Sequence, residues 1–196
     1  MTGPLRRLVG LTALALALGL GGCGLPRERL PDRPEIAFDR EDRIALRVGH
    51  VEAANRYVPP LKPPNVEHDF PVSLAGNLRR WAEERVSAAG GEETARFSVL
   101  NASAIGAPDG TVLARVAARL EIVAPGADEK ILGVADASAE ASALVPPDAT
   151  AEARDDAYYA LEKNLLARFD RAMAQAVRAR LGPWLKQERG PTPPLP

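Results

Sequence analysis

The chain has 196 residues, with 25 basic side chains, 26 acidic ones and a single cysteine. A formal net charge of −1 without a clustered basic face argues against a nucleic-acid partner. One cysteine excludes an intramolecular disulfide, so stability must come from a packed core of single-domain size.

Residues 1–22 read as a secretory leader. Arg6 and Arg7 precede an apolar run from Leu8 to Leu20, which is too short to cross a ~30 Å hydrocarbon core as a helix and ends in small residues. The one cysteine follows, in Leu20-Gly21-Gly22-Cys23-Gly24. The pattern resembles a bacterial lipoprotein signal peptide ending in a lipobox. That resemblance implies that Cys23 becomes the lipidated N-terminus, palmitate among its acyl groups, and that the membrane is reached through this lipid. More than one buried acyl chain turns marginal binding into stable attachment. Gly24, where such lipoproteins carry aspartate for inner-membrane retention, implies an outer-membrane address facing the periplasm. Loss of the leader, which carries Arg6 and Arg7 and no acidic residue, takes the formal net charge from −1 to −3.

Residues 23–43 are rich in Pro, Arg, Asp and Glu and read as the lipidated N-terminus followed by a flexible, extended tether. A single domain is expected over 44–186. It opens with a strand in which Ile44, Leu46 and Val48 share a face, continuing to Tyr57 past a bend or bulge at Gly49. Val58-Pro59-Pro60-Leu61-Lys62-Pro63-Pro64-Asn65 reads as a polyproline-like loop, neither helix nor paired strand, because four prolines lack donors. From Val72 to Ala89 the spacing of Leu74, Leu78, Trp81, Ala82 and Val86 predicts a helix, capped by Ser73 or Asp69 and stopped at Gly90-Gly91.

Three strands follow. Arg96 to Ser103 alternates Phe97 and Val99 against Arg96 and Ser98. Thr111 to Val123 sets Val112, Ala114, Val116, Ala118, Leu120 and Ile122 on one face, with Arg115, Arg119 and Glu121 opposite. Lys130 to Leu144 carries Gly133, Ala135, Ala137, Ala139 and Ala141 on one face, small enough for a helix to lie close above it. Turn residues separate the three. A helix from about Ala151 to Leu181, capped by Asp148 or Thr150, carries a stripe of Leu161, Leu165, Phe169, Ala172, Met173 and Ala176, read as core rather than as a docking face. Gly182-Pro183 breaks it, Trp184 and Leu185 are candidates to pack back, and 187–196 read as a disordered Pro-rich tail. The expected fold class is α+β in two layers: a four-stranded, mostly antiparallel sheet with two helices on one face, in the order strand-helix-strand-strand-strand-helix.

No catalytic or metal-binding set is legible. His50 and His68, with Glu52, Glu67 or Asp69 nearby, match no zinc spacing, and no Gly-x-Ser-x-Gly turn or Gly-rich phosphate cradle is present. Asp155-Asp156 and Glu83-Glu84 point about 100° apart on a helix and read as solvated. The expectation is a protein that is not an enzyme and takes no cofactor or metal. The Pro-rich loop is the candidate partner-binding segment, through Tyr57, Val58, Leu61 and Val66; the alternative is a stiff connector that keeps a sheet edge from pairing.

The order of lipobox, tether and elements is similar, in architecture, to two groups of periplasmic lipoproteins: auxiliary lipoproteins of ABC-type transport systems, and the lipopolysaccharide-assembly lipoprotein that plugs an outer-membrane barrel. The resemblance implies a non-enzymatic accessory or adaptor component of cell-envelope transport or assembly, with envelope proteins as partners. A lipid-binding or lipid-shuttling module is the alternative.

Overall fold

In a computed structural model, residues 33–186 are described; Cys23, the leader and the tail 187–196 lie outside them. The elements in chain order are β1 (Ile44–Leu46), β2 (His50–Asn55), α1 (Leu74–Arg85), β3 (Val86–Ala88), β4 (Thr94–Gly106), β5 (Thr111–Val123), β6 (Ile131–Leu144) and α2 (Ala151–Arg180). β2, β4, β5 and β6 form a mixed sheet in that order, with β2 parallel to β4 and the other two pairs antiparallel. α1 packs over β2 and β4, while α2 packs over β5 and β6. The class is α+β, as the alternation implies.

The expected first strand is two strands in two sheets. At Gly49 a Cβ would meet the Gly91 carbonyl oxygen at 2.6 Å, so only glycine lets the chain pass there, and its N–H donates to the Glu93 carbonyl at 2.8 Å. β1, on the near side of this step, pairs in parallel with β3. That pairing corrects the helix drawn to Ala89: α1 stops at Arg85, and Val86–Ala88 is extended where β1 supplies partners. The second edge of β1 is taken by the C-terminal segment. The Arg47 N–H donates to the Trp184 carbonyl at 2.6 Å and the Lys186 N–H to the Ala45 carbonyl at 2.8 Å.

Both helix starts are decided by side-chain caps. Ser73 Oγ accepts from the Gly76 N–H, and Thr150 Oγ1 from the Ala153 N–H, each at 3.2 Å, satisfying donors that a helix leaves free in its first turn. The expected inward face of β5 is buried throughout, from Val112 to Ile122. In β4 the alternation changes phase: Ala95, Phe97 and Val99 are buried, a bulge places Leu100 outside, and Ala102 and Ala104 are buried next. Trp81, Phe97 and Phe169 meet at the centre, Trp81 lying 5.5 Å from Phe97 and 5.4 Å from Phe169 between ring centroids. Leu161, Leu165, Phe169 and Met173 of the α2 stripe are buried as core, while Ala172 and Ala176 are half-buried at its edge. The small face of β6 closes the layers: a Cβ on Gly133 would meet Trp184 and Leu181 at 2.8 and 2.9 Å.

Of the segment before β1, residues 33–43 are a strap across both helices rather than a free tether. Ile36 is buried, the Phe38 N–H donates to Glu84 at 3.0 Å, and Arg80 pairs with Glu35 at 2.5 Å. Arg33 pairs with Asp156 at 2.5 Å, and the Tyr159 hydroxyl donates to the Pro34 carbonyl at 2.9 Å. The domain therefore begins by Arg33.

Candidate binding cleft

The Pro-rich loop leaves β2 and folds back along the end of β4. Asn55 Oδ1 accepts from the Tyr57 N–H at 3.0 Å and starts the turn. The far end pairs after all, which corrects the expectation that it stays out of the sheet. The Val66 N–H donates to the Ala104 carbonyl and the Gly106 N–H to the Pro64 carbonyl, both at 2.9 Å. Proline removes a donor but keeps its acceptor, so Pro64 serves β4 on an edge that β2 is too short to cover.

Between this loop and the start of α1 lies a cleft of about 240 Å³. Tyr57, Pro59 and Leu61 form one wall, Phe70, Leu74 and Ala75 the other, and Ala102 of β4 contributes below, with Asn55, Glu67, His68 and Ser73 among the polar groups. Of the four loop candidates, the structure brings Tyr57 and Leu61 to the cleft. Val66 is half-buried against Gly106, while Val58 stands in solvent at 81% exposure. Leu61 is 66% exposed and holds φ at +54°, a left-handed conformation that costs a branched side chain about 1–2 kcal/mol.

The polar side of the cleft is locked. The Tyr57 hydroxyl donates to Glu67 Oε1 at 3.2 Å, and Glu67 Oε2 accepts from the Ala104 N–H at 3.4 Å. Burial, the Glu67 charge and this hydrogen bond push the Tyr57 pKa up to about 12, so the phenol stays a donor at any physiological pH. His68 is exposed, 3.6 Å from Asp69, and among the described residues no cluster of three or more His, Cys, Asp or Glu side chains is placed to hold a metal ion. The cleft's volume falls below the ~300–1,000 Å³ of small-molecule sites. Phe70, Ser73 and Ala102 were missed in the sequence, since nothing local says that the loop folds back over the α1 N-terminus.

A second groove, of about 530 Å³, lies between β6 and the C-terminal half of α2 and is lined by Asp136, Gln175 and Arg180 along with Val134 and alanines. No described helix is long and apolar enough to cross a membrane.

No protein-family model matches the chain, and no curated protein matches it. Among solved structures it is similar to a Xanthomonas campestris protein described by the family model DUF330, with 13% identity over 77% of this chain and 93% of that one, at a TM-score of 0.34. It is also similar to a minor lipoprotein from Acinetobacter baumannii, with 12% identity over 71% of this chain and 96% of that one, at a TM-score of 0.37.

Proposed function

We propose that the protein is a lipoprotein held in the cell envelope by acyl groups on Cys23, on the periplasmic side of the outer membrane, and that it works without catalysis as an accessory or adaptor for envelope transport or assembly. The observation that carries this reading is the lone cysteine set directly behind a charged, apolar and small-residue leader, ahead of a domain that needs no cysteine of its own. The closed interior favours an adaptor over a lipid carrier. Ala135 and Ala141 of β6 are buried beneath α2, and a Cβ on Gly133 would already meet Trp184 and Leu181, so α2 and the C-terminal turn lie close on this strand at these positions, and the groove beside them carries Asp136, Gln175 and Arg180 among its lining.

Replacing Cys23 by serine is expected to remove the anchor and leave the domain intact. Labelled palmitate should no longer be incorporated and the protein should leave the membrane fraction, while the circular dichroism melt of the domain stays unchanged. A variant that fractionates with membranes as before would refute the lipoprotein reading. Crosslinking of the wild-type protein in intact envelopes separates the two functions: recovered protein partners support the adaptor, and co-purified lipid without protein supports the carrier.

A further inference from the structure

We infer that the Val58–Leu61 loop is a membrane-contacting surface, which rests its apolar tip on the same bilayer that holds the acyl groups of Cys23. The inference depends on the lipoprotein reading and adds to it an orientation. The chain enters the described domain at the first turns of α2, where Arg33 pairs with Asp156 at 2.5 Å and the Pro34 carbonyl accepts from the Tyr159 hydroxyl at 2.9 Å. The loop belongs to the same pole. Tyr158, next to Tyr159, packs its ring 4.7 Å from that of Phe70, and Phe70 lines the cleft with Pro59 and Leu61.

Ten residue steps separate Cys23 from Arg33, and a chain spans at most ~3.3–3.6 Å per step. The pole at Arg33 is therefore held within about 36 Å of the lipid surface, and it is the pole that displays the loop. The loop's chemistry fits an interface. Val58 and Leu61 are mostly exposed, prolines hold them with little conformational freedom to lose, and Lys62 is the only charged side chain from 58 to 65. Apolar tips beside a cation suit the boundary between acyl chains and anionic headgroups. Glu67, the nearest carboxylate in the sequence, is turned inward to Tyr57 and the Ala104 N–H, so no negative charge of the loop itself opposes that contact.

The test uses the acylated full-length protein in vesicles of phosphatidylethanolamine and phosphatidylglycerol. Because the lipid occupies the thiol of Cys23, Val58→Cys provides one free thiol for an environment-sensitive fluorophore, and Ser138→Cys, on the uncovered sheet face, is the control. The label at position 58 should shift to the blue and be quenched by headgroup-proximal spin-labelled lipid, with neither effect at position 138. In a Leu61→Ser background the quenching at 58 should fall towards the control, while the melting curve stays the same. Anchored protein whose label at 58 is unquenched overturns the inference and leaves the lipoprotein reading standing, as does a photocrosslink from 58 to an envelope protein in place of lipid. Mass spectrometry that finds Cys23 unmodified, with protein that does not float with the vesicles, overturns both together.

Discussion

Replacing Arg85 with methionine should cost the domain about 3 kcal/mol in urea denaturation, since it removes the donor from two backbone carbonyls and a half-buried carboxylate at once. Arg85 is 3% exposed at the end of α1 and joins three parts of the chain. Its Nε donates to Asp170 Oδ1 on α2 at 2.8 Å, and Nη1 donates to the backbone carbonyls of Asp39, at 2.9 Å, and Asp42 in the strap. Asp170 Oδ1 also accepts from Trp81 Nε1 at 2.7 Å. Methionine keeps the apolar stem packed but takes the Arg85 donor from both strap carbonyls and leaves Asp170 Oδ1 with Trp81 Nε1 alone, which isolates the polar loss. The strap should then become the first site of limited proteolysis. Asp42→Asn is the control: that carboxylate is exposed and 3.4 Å from Arg85, so its contribution is at most ~1 kcal/mol. Equal stability losses in the two variants would show that the guanidinium does not tie the strap to the helices.

Glu162→Gln should do the opposite at alkaline pH and stabilise the protein. Glu162 is fully buried on α2, its Oε1 accepts from Asn77 Nδ2 of α1 at 2.7 Å, and both Oε2 and Asn77 Oδ1 lack a partner. Burial pushes this carboxyl up to about 7, against a small downward pull from the Asn77 hydrogen bond. The unfolded chain gives up the proton near the usual 4.5, whereas the folded one keeps it to about 7. Through that window the unfolded state binds fewer protons, so stability falls as pH rises and levels off above it. At ~1.4 kcal/mol per unit the loss is about 3 kcal/mol at pH 8. Glutamine mimics the protonated acid and offers an N–H that suits Asn77 Oδ1, so the variant should match wild type near pH 4 and exceed it by about 3 kcal/mol near pH 8. Denaturation curves at pH 4, 6 and 8 whose difference between the two proteins does not change with pH would show that folding does not raise the Glu162 carboxyl above its ordinary value.

Both groups carried a sequence signal that hydrophobicity alone hides. Glu162 stands in the stripe Tyr158, Leu161, Leu165, Phe169, and Asn77 and Arg85 flank Trp81 at helical spacing. A polar residue at core spacing on each of two helices is the mark of a polar seam between them, whereas apolar periodicity counts such positions only as gaps. The cleft was legible in part. Prolines marked the loop and the exposure of Val58 and Leu61, but the opposite wall comes from Phe70 to Ala75, which reaches it only through the fold.

The amino-acid sequence by itself determined the elements whose pattern is local: the alternation of β5 and β6, the stripes of both helices, and the α+β order that follows. These depend on side chains spaced two or about 3.6 residues apart, and each residue's neighbours along the chain are enough to reveal them. Only the tertiary structure decided the break at Gly49, the change of Val86–Ala88 from helix to strand, the bulge at Leu100, the pairing of Pro64 and Val66 with β4, and the docking of Arg33 to Asp42 on the helices. In each of these a backbone group takes a partner that is remote in sequence. What a hydrogen-bonding group pairs with, once water is excluded, is set by the segment that folding brings beside it.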